Sequence, residues 1–164
     1  MGDKRSVPRL KAQLLRDPIH FLALGFGSGL SPMAPGTFGT MAAVPLYLLL
    51  QPLSVWVYLA LTVLLFVIGI PLCDASARKL GVHDHPGIVW DEVVGYLVTM
   101  TAAPAGWYWV LIGFVLFRLF DIIKPWPIRF IDRHVEGGLG IMLDDLLAGL
   151  LAALLLQGGV WWVH

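Results

Sequence analysis

The chain has 164 residues, of which 58% are hydrophobic and 13% are charged. Soluble domains carry about 45–50% apolar and about 25% charged residues, and a chain this short cannot bury so much apolar surface in a water-exposed fold. The composition therefore excludes an ordinary soluble enzyme and predicts a small integral membrane protein. Eleven basic and eleven acidic residues give a formal net charge of zero, which excludes a strongly basic nucleic-acid binder.

Residues 1–17 form a basic tail ahead of the first apolar stretch. The basic residues of this tail are Lys4, Arg5, Arg9, Lys11 and Arg16. A signal peptide also begins with positive charge, but here no small-residue cleavage site follows and glycines interrupt the apolar run. We expect the tail to remain in the cytoplasm and to lie partly in the membrane interface, with Leu10, Leu14 and Leu15 on one side.

Five apolar runs follow, and each predicts a helix in the bilayer. They cover residues 37–50, 53–72, 88–103, 107–123 and 141–163. A spanning helix needs about 20 apolar residues. The second, fourth and fifth runs meet this length, the first is short, and the third reaches it only with the polar residues near its start. The chain is therefore predicted to be an all-α, polytopic membrane bundle of about five helices, with residues 1–164 forming one domain.

The connections between these runs predict the orientation of the bundle. Residues 51–52 and 104–106 are short and uncharged, whereas residues 74–90 and 124–140 carry Lys and Arg. Cytoplasmic loops are enriched in Lys and Arg, and all eleven basic residues lie in the tail, in these charged loops or, like Arg118, at a helix end beside them. We therefore predict a cytoplasmic N-terminus and a C-terminus on the opposite side.

A segment rich in Gly and Pro, residues 27–40, precedes and enters the first apolar run. Successive backbone N–H groups in such a turn, followed by a helix N-terminus, can bind phosphate. The segment matches neither the P-loop nor the dinucleotide-binding pattern. A flexible loop between helices is therefore the alternative interpretation.

Five carboxylates are predicted to lie at one face of the membrane. They are Asp91 and Glu92 at the start of the third run, Asp121 near the end of the fourth, and Asp144 and Asp145 at the start of the fifth. Each pair alone could cap a helix, but acids that enter an apolar helix are costly and indicate function. A bound divalent cation would offset their mutual repulsion, and an all-oxygen ligand set suits Mg²⁺, Ca²⁺ or Mn²⁺.

Basic side chains accompany these acids. Arg118, Asp121 and Lys124 repeat at three-residue intervals and so share a helix face, where a local ion-pair ladder is the alternative interpretation. The basic residues Arg118, Lys124, Arg129 and Arg133 offer positive charge for phosphate oxygens.

Other catalytic schemes find less support in the sequence. Cys73, the one cysteine, excludes an intramolecular disulfide and is predicted to pack as a small apolar residue. Ser28 and Ser31 have no nearby histidine for a dyad that the sequence would reveal. Residues 83–85 (His-Asp-His) lack the rest of a zinc ligand set and are predicted to form a solvated loop.

The order and spacing of these segments resemble one family, bacterial phosphatidylglycerophosphatase A. The resemblance covers residues from about 18 to 156. It rests on residues 27–40, 81–85, 88–92, 117–128 and 137–149. It implies a Mg²⁺-dependent lipid phosphatase of the inner membrane that converts phosphatidylglycerophosphate to phosphatidylglycerol and inorganic phosphate during phospholipid synthesis.

The resulting hypothesis is metal-assisted phosphomonoester hydrolysis at the cytoplasmic edge of the membrane. The five carboxylates are predicted to bind one or two Mg²⁺ ions, with one carboxylate as a candidate general base instead of a ligand. Direct attack by water is favoured over a covalent aspartyl-phosphate. The predicted substrate-binding residues are Ser28, Gly29, Gly36, Thr37, Arg118, Lys124 and Arg129. The alternative is a small ion- or proton-coupled transporter that uses the same intramembrane acids.

Overall fold

The computed structural model describes residues 9–163, and within this range the chain is helical with no strand. The α-helices are α1 (Pro18–Ala23), α2 (Pro35–Leu50), α3 (Val55–Leu80), α4 (Trp90–Thr99), α5 (Trp107–Ile123), α6 (Ile128–His134) and α7 (Gly137–Val163). Two 3₁₀ segments, Ala12–Arg16 and Gly25–Leu30, precede α1 and α2. The all-α prediction is confirmed for residues 9–163, whereas Lys4 and Arg5 of the predicted tail lie outside the described residues.

One helix corresponds to each of the five predicted apolar runs, but the helices differ in length and do not all keep the predicted bounds. Helices α3 and α7 have 26 and 27 residues and are long and apolar enough to cross a membrane, and α2 is a shorter apolar helix. Helix α4 has 10 residues, which corresponds to about 15 Å against a hydrocarbon core of about 30 Å. It is shorter than the predicted run because the chain turns after Thr99, with Ala102 in the left-handed region at a φ of 54°.

Helix α7 lies at the centre of the bundle and contacts α3, α4, α5 and α6. Two glycines let the backbones of α4 and α7 touch. A Cβ atom on Gly149 would lie 2.5 Å from the carbonyl oxygen of Gly95, and one on Gly95 would lie 2.9 Å from the carbonyl oxygen of Asp145. This close contact fixes the start of α4 beside Asp145.

The start of α7 differs from the prediction. The helix begins at Gly137, so Asp144 and Asp145 lie about two turns inside it instead of at its start. The backbone N–H of Gly138 donates to Asp74 Oδ1 at 3.2 Å, and a Cβ there would lie 1.9 Å from the Ile70 carbonyl oxygen. The N-capping interpretation of the Asp144–Asp145 pair is therefore wrong.

The end of α3 also extends beyond the prediction. Residues 74–80, expected in a charged loop, continue the helix. An ion pair between Arg78 and Asp74 at 2.6 Å joins successive turns, and the helix ends at Gly81, whose φ of 69° is the left-handed geometry typical of a helix C-terminus.

Helices α2, α4 and α7 run in one direction, and α3 and α5 run in the other. Their orientation follows from contacts such as Gly36 with Glu92 and Gly138 with Asp74. The N-termini of three helices and the C-termini of two therefore meet at one end of the bundle. This end, which we call the charged end, carries the acidic and basic residues of the helices.

The outward surface of the bundle is apolar. Large exposed apolar side chains on α3, α5 and α7 include Val63, Leu64, Val67, Leu111, Val115, Leu119, Leu150, Leu154 and Leu155. Apolar patches of this extent mark contact with a membrane or another protein. The exposed Trp107, Trp161 and Trp162 lie at the end opposite the charged end, which is the distribution expected of interfacial tryptophans.

Candidate active site

The five predicted carboxylates lie together at the charged end. Asp91 and Glu92 occupy the first turn of α4, Asp121 lies near the end of α5, and Asp144 and Asp145 lie on α7. Carboxylate oxygens of Asp91, Asp144 and Asp145 lie within 4.8 Å of one another, as do those of Glu92, Asp121 and Asp145. Asp145 is common to both groups and therefore occupies the centre of the cluster.

Three oxygen atoms of this cluster are buried without a hydrogen-bond partner among residues 9–163. They are Asp91 Oδ1, Glu92 Oε2 and Asp145 Oδ2, and Asp145 as a whole is only 2% exposed. An unsatisfied buried carboxylate is costly. Oxygen atoms grouped in this way fit a hard divalent cation such as Mg²⁺, which prefers oxygen ligands.

Arg118 lies at one side of the cluster, with only 14% of its side chain exposed. Its Nη1 atom donates to Asp121 Oδ2 and lies 3.7 Å from Glu92 Oε1. Arg118 and Asp121 therefore share a helix face as predicted, and they form the ion pair that the alternative interpretation of this segment gave. The Nε atom is buried and has no partner within the described part of the chain, so the guanidinium keeps an N–H group available for a ligand.

Lys124 lies at the other side of the cluster. It ends α5 in the left-handed region, at a φ of 46°, and its Nζ atom lies 2.6 Å from both Asp144 Oδ2 and Asp132 Oδ1. Burial works to lower the pKa of Lys124, but the charges of Asp144 and Asp132 outweigh it and raise the pKa above its usual value. Lys124 is therefore a permanent cation that holds Asp144 in place.

The glycine-rich segment reaches the cluster at Gly36, in the first turn of α2. A Cβ atom at this position would lie 2.2 Å from Glu92 Oε1 and 2.9 Å from Arg118 Nη1. Only glycine lets the α2 backbone approach both charged groups this closely. The N-terminal end of α2, where a helix carries partial positive charge, therefore faces the carboxylates.

The comparison with known proteins then decides the family. The phosphatidylglycerophosphatase A family model matches residues 21–160. This chain belongs to the phosphatidylglycerophosphatase A family. It is 50% identical over 140 residues to phosphatidylglycerophosphatase A of Escherichia coli (strain K12), an alignment that covers 85% of this chain and 81% of the relative.

A second phosphatidylglycerophosphatase A, from Haemophilus influenzae, is 47% identical over 156 residues, which cover 94% of this chain and 96% of the relative. No solved structure matches the chain. The resemblance drawn from the sequence segments is confirmed, and this member of the phosphatidylglycerophosphatase A family is a phosphatase enzyme.

Four further residues were predicted to bind the substrate, namely Ser28, Gly29, Thr37 and Arg129. Thr37 adjoins Gly36 in the first turn of α2. Ser28 Oγ donates to the Gly25 carbonyl oxygen at 2.8 Å. Gly29 packs on Gly87 and lines a cavity of about 400 Å³. Arg129 lies on α6 with Nη2 3.5 Å from the Ile123 carbonyl oxygen.

Two further predictions concern residues outside the cluster. Cys73 is buried and its Sγ atom lies 3.8 Å from Met142 Sδ, which confirms its packing role. The 83–85 segment is only partly solvated. His83 and Asp84 are exposed. His85 is only 5% exposed, and its Nδ1 accepts from the Gly87 N–H at 2.9 Å.

Asp132 is the residue of this site that the sequence did not single out. It lies on α6 and pairs with Lys124 across the turn between α5 and α6. Its one signal is its acidic character in the charged segment 124–140, which is unremarkable for a solvent-facing loop. The pairing arises from tertiary structure and follows no helical spacing.

Substitution of Gly36 by alanine is expected to lower kcat/KM of the phosphatase by about 10²-fold, because a misplacement of about 1 Å in an active site can cost that much. The new methyl group would displace the ends of the Glu92 and Arg118 side chains while leaving the backbone intact. Unfolding in detergent should therefore change little.

Gly158→Ala is the matched control, since a Cβ at that α7 position meets nothing within 4 Å. It should retain full activity. Wild-type kcat/KM in Gly36→Ala would show that close approach at Gly36 is unrelated to catalysis.

Proposed function

We propose that this enzyme hydrolyses the terminal phosphomonoester of phosphatidylglycerophosphate to give phosphatidylglycerol and inorganic phosphate, with Mg²⁺ as cofactor. The names of the Escherichia coli and Haemophilus influenzae relatives support the substrate. The observation that carries the reaction type is the cluster of five carboxylates with three unpartnered buried oxygens beside a fixed arginine.

Asp91, Glu92, Asp121, Asp144 and Asp145 would bind the metal. Among the described residues, Arg118 and Lys124 are the cations paired with this cluster, so its negative charge is only partly offset. When bound, Mg²⁺ neutralises charge on the phosphate oxygens and lowers the pKa of a water molecule. Each of the two groups of three oxygens offers a binding position, with Asp145 contributing to both.

The remaining groups would bind and orient the phosphate. Arg118 offers its buried Nε–H to a phosphate oxygen while its Nη1 holds Asp121, and arginine is well suited to phosphate geometry. The N-terminal end of α2 at Gly36 and Thr37 would contribute backbone N–H groups and partial positive charge. Lys124 would position Asp144 and attract the anionic substrate.

The proton chemistry requires one acceptor. We assign direct attack by water on phosphorus, with a carboxylate of the cluster accepting the proton as the bond from phosphorus to the glycerol oxygen breaks. The proton that the carboxylate accepted then passes to the glycerol oxygen, which leaves as a hydroxyl group, and the carboxylate is regenerated. A covalent aspartyl-phosphate is the competing route, and trapping of such an acyl-phosphate in a single turnover would replace our assignment.

The membrane arrangement completes the proposal. Helices α3 and α7 would cross the bacterial inner membrane, and α2, α4 and α5 would complete a multi-pass bundle of about five membrane helices. Because Lys and Arg favour the cytoplasmic side, the charged end and the N-terminus would face the cytoplasm. The acyl chains of the substrate would remain in the bilayer, so that only the head group enters the site.

The proposed reaction is tested by mixing purified protein with phosphatidylglycerophosphate in detergent micelles containing Mg²⁺. We expect equal amounts of inorganic phosphate and phosphatidylglycerol. A transporter that used the same acids would leave the lipid unchanged, and family membership does not favour that alternative. Absence of phosphate release by folded protein at every Mg²⁺ concentration would contradict the proposed function.

A further inference from the structure

A cavity of about 380 Å³ lies at the charged end, between the end of α5 and α6, outside the carboxylate cluster. The lining residues that matter are Lys124, Trp126, Arg129, Phe130, Arg133 and His134. We call this space the α6 cavity. It combines basic and aromatic side chains, so its lining suits an anionic group attached to an apolar body.

The two arginines of the α6 cavity carry uncompensated positive charge. Arg129 and Arg133 are four residues apart and therefore lie on the same face of α6. Both are exposed, and no carboxylate within residues 9–163 pairs with either. Two neighbouring guanidinium groups repel each other and favour an anion that accepts hydrogen bonds from both.

The aromatic side chains of the α6 cavity indicate that the cavity lies at the depth of the lipid head groups. Phe130 stacks on His134 with ring centroids 4.1 Å apart, and Trp126 and Phe130 are 83% and 55% exposed. Exposed aromatic residues beside basic ones are typical of segments in the membrane interface. The neighbouring Ile122 and Ile123 of α5 are also exposed, so the apolar surface continues from the cavity onto the bundle.

The α6 cavity and the carboxylate cluster share one residue. Lys124 lines the cavity, and its Nζ atom lies 2.6 Å from Asp144 Oδ2 of the cluster. The α6 cavity therefore adjoins the carboxylate cluster.

We propose that the α6 cavity binds the phosphodiester group of the substrate lipid through Arg129 and Arg133. This phosphodiester is the phosphate group that the enzyme does not hydrolyse. The inference rests on the proposed function, because phosphatidylglycerophosphate carries a terminal phosphomonoester and a phosphodiester separated by one glycerol. The cavity makes the enzyme selective for lipids that carry both groups. It also retains affinity for the product, which keeps the phosphodiester.

Direct binding tests the α6 cavity without catalysis. Short-chain phosphatidylglycerol, which lacks a phosphomonoester, is titrated calorimetrically into the detergent-solubilised protein. We expect Arg129→Gln and Arg133→Gln each to weaken binding about tenfold, since a charge-assisted hydrogen bond contributes that much. Diacylglycerol of the same chain length, which lacks the phosphodiester, should bind more weakly than phosphatidylglycerol to the wild-type protein.

Arg16→Gln is the matched control, because Arg16 is exposed in the first 3₁₀ segment and does not line the cavity. It should bind phosphatidylglycerol as the wild-type protein does. The proposal would be overturned if all three variants bound phosphatidylglycerol with wild-type affinity, or if all three lost the same affinity. Equal affinity of the wild-type protein for diacylglycerol and phosphatidylglycerol would also overturn it.

Kinetics separate this inference from the proposed function. Arg129→Gln should raise KM for phosphatidylglycerophosphate about tenfold with a smaller change in kcat, and Arg129→Lys should recover part of the loss. Inhibition by inorganic phosphate, which we expect to bind at the carboxylate cluster, should stay unchanged in Arg129→Gln. A fall in kcat at constant KM in Arg129→Gln would overturn the inference. Absence of phosphate release by the wild-type protein would overturn the proposed function, and the calorimetric result would then be judged separately.

Discussion

Asp145→Asn should abolish phosphate release, with a loss of at least about 10³-fold in kcat/KM. A loss of this size is expected when one residue belongs to a set of catalytic groups that act as a unit. Asp145 contributes an oxygen to both groups of three carboxylates, so its loss weakens both metal positions at once. Asparagine has nearly the same shape but lacks the negative charge. The change is measured as inorganic phosphate released from phosphatidylglycerophosphate at saturating Mg²⁺.

The same variant has a readout that does not depend on activity. Asp145 is buried with one oxygen unpartnered in the described residues, so asparagine should leave thermal unfolding in chelator unchanged or slightly improved. Mg²⁺ at 100 times its Kd should stabilise the wild-type protein by about 2.7 kcal/mol, and this gain should be absent in Asp145→Asn.

Asp17→Asn is the matched control for Asp145→Asn. Asp17 caps α1 by accepting from the Ile19 N–H at 2.9 Å and pairs with Lys79, away from the cluster. It should keep wild-type activity and the full Mg²⁺-dependent stabilisation. Full activity in Asp145→Asn would refute the assignment of the cluster as the catalytic metal site.

Arg118→Gln should cost both activity and stability. The guanidinium is the cation between Glu92 and Asp121, and its side chain is 14% exposed. Removal of one partner from a buried ion pair typically destabilises by about 3–5 kcal/mol, and loss of a phosphate-binding cation should lower kcat/KM by about 10²–10³-fold. Thermal unfolding in detergent and phosphate release measure the two effects.

Saturating Mg²⁺ should recover part of the lost stability in Arg118→Gln, because the metal also offsets the charge of Glu92 and Asp121. Arg78→Gln is the matched control. Arg78 pairs with Asp74 at 2.6 Å but is 76% exposed, and exposed pairs contribute about 1 kcal/mol or less. Equal stability and activity in Arg118→Gln and Arg78→Gln would show that the ion pairs of Arg118 contribute no more than an ordinary surface ion pair.

Hydropathy predicted the positions of the five longest helices, α2, α3, α4, α5 and α7, because each run contrasts sharply with its flanks. Hydropathy failed at the start of α7, because a glycine there can either bend the chain or let a neighbouring backbone come close. Residues 137–140 were assigned to a loop, but Gly138 and Gly140 are buried within α7. A Cβ on Gly138 would lie 1.9 Å from the Ile70 carbonyl oxygen and one on Gly140 would lie 2.0 Å from that of Val135. A sequence alone does not distinguish a glycine that bends the chain from one that admits a neighbour.

The carboxylates were predictable because charges are rare in this chain and acids in an apolar helix are costly. The contacts around them were predictable only where spacing within one helix sets them, as for Arg118 and Asp121. The pairing of Lys124 with Asp132 and the approach of Gly36 to Glu92 depend on how α6 and α2 pack. These contacts join separate elements and leave no periodic signal in the sequence.

The most direct measurement is a Mg²⁺ titration of phosphate release by metal-free wild-type protein with phosphatidylglycerophosphate in micelles. No phosphate should appear in chelator, and release should rise with Mg²⁺ to a plateau over the same concentrations that raise the unfolding temperature. Asp145→Asn should show neither response. Full phosphate release by the wild-type protein in excess chelator would contradict a metal-dependent reaction at the carboxylate cluster.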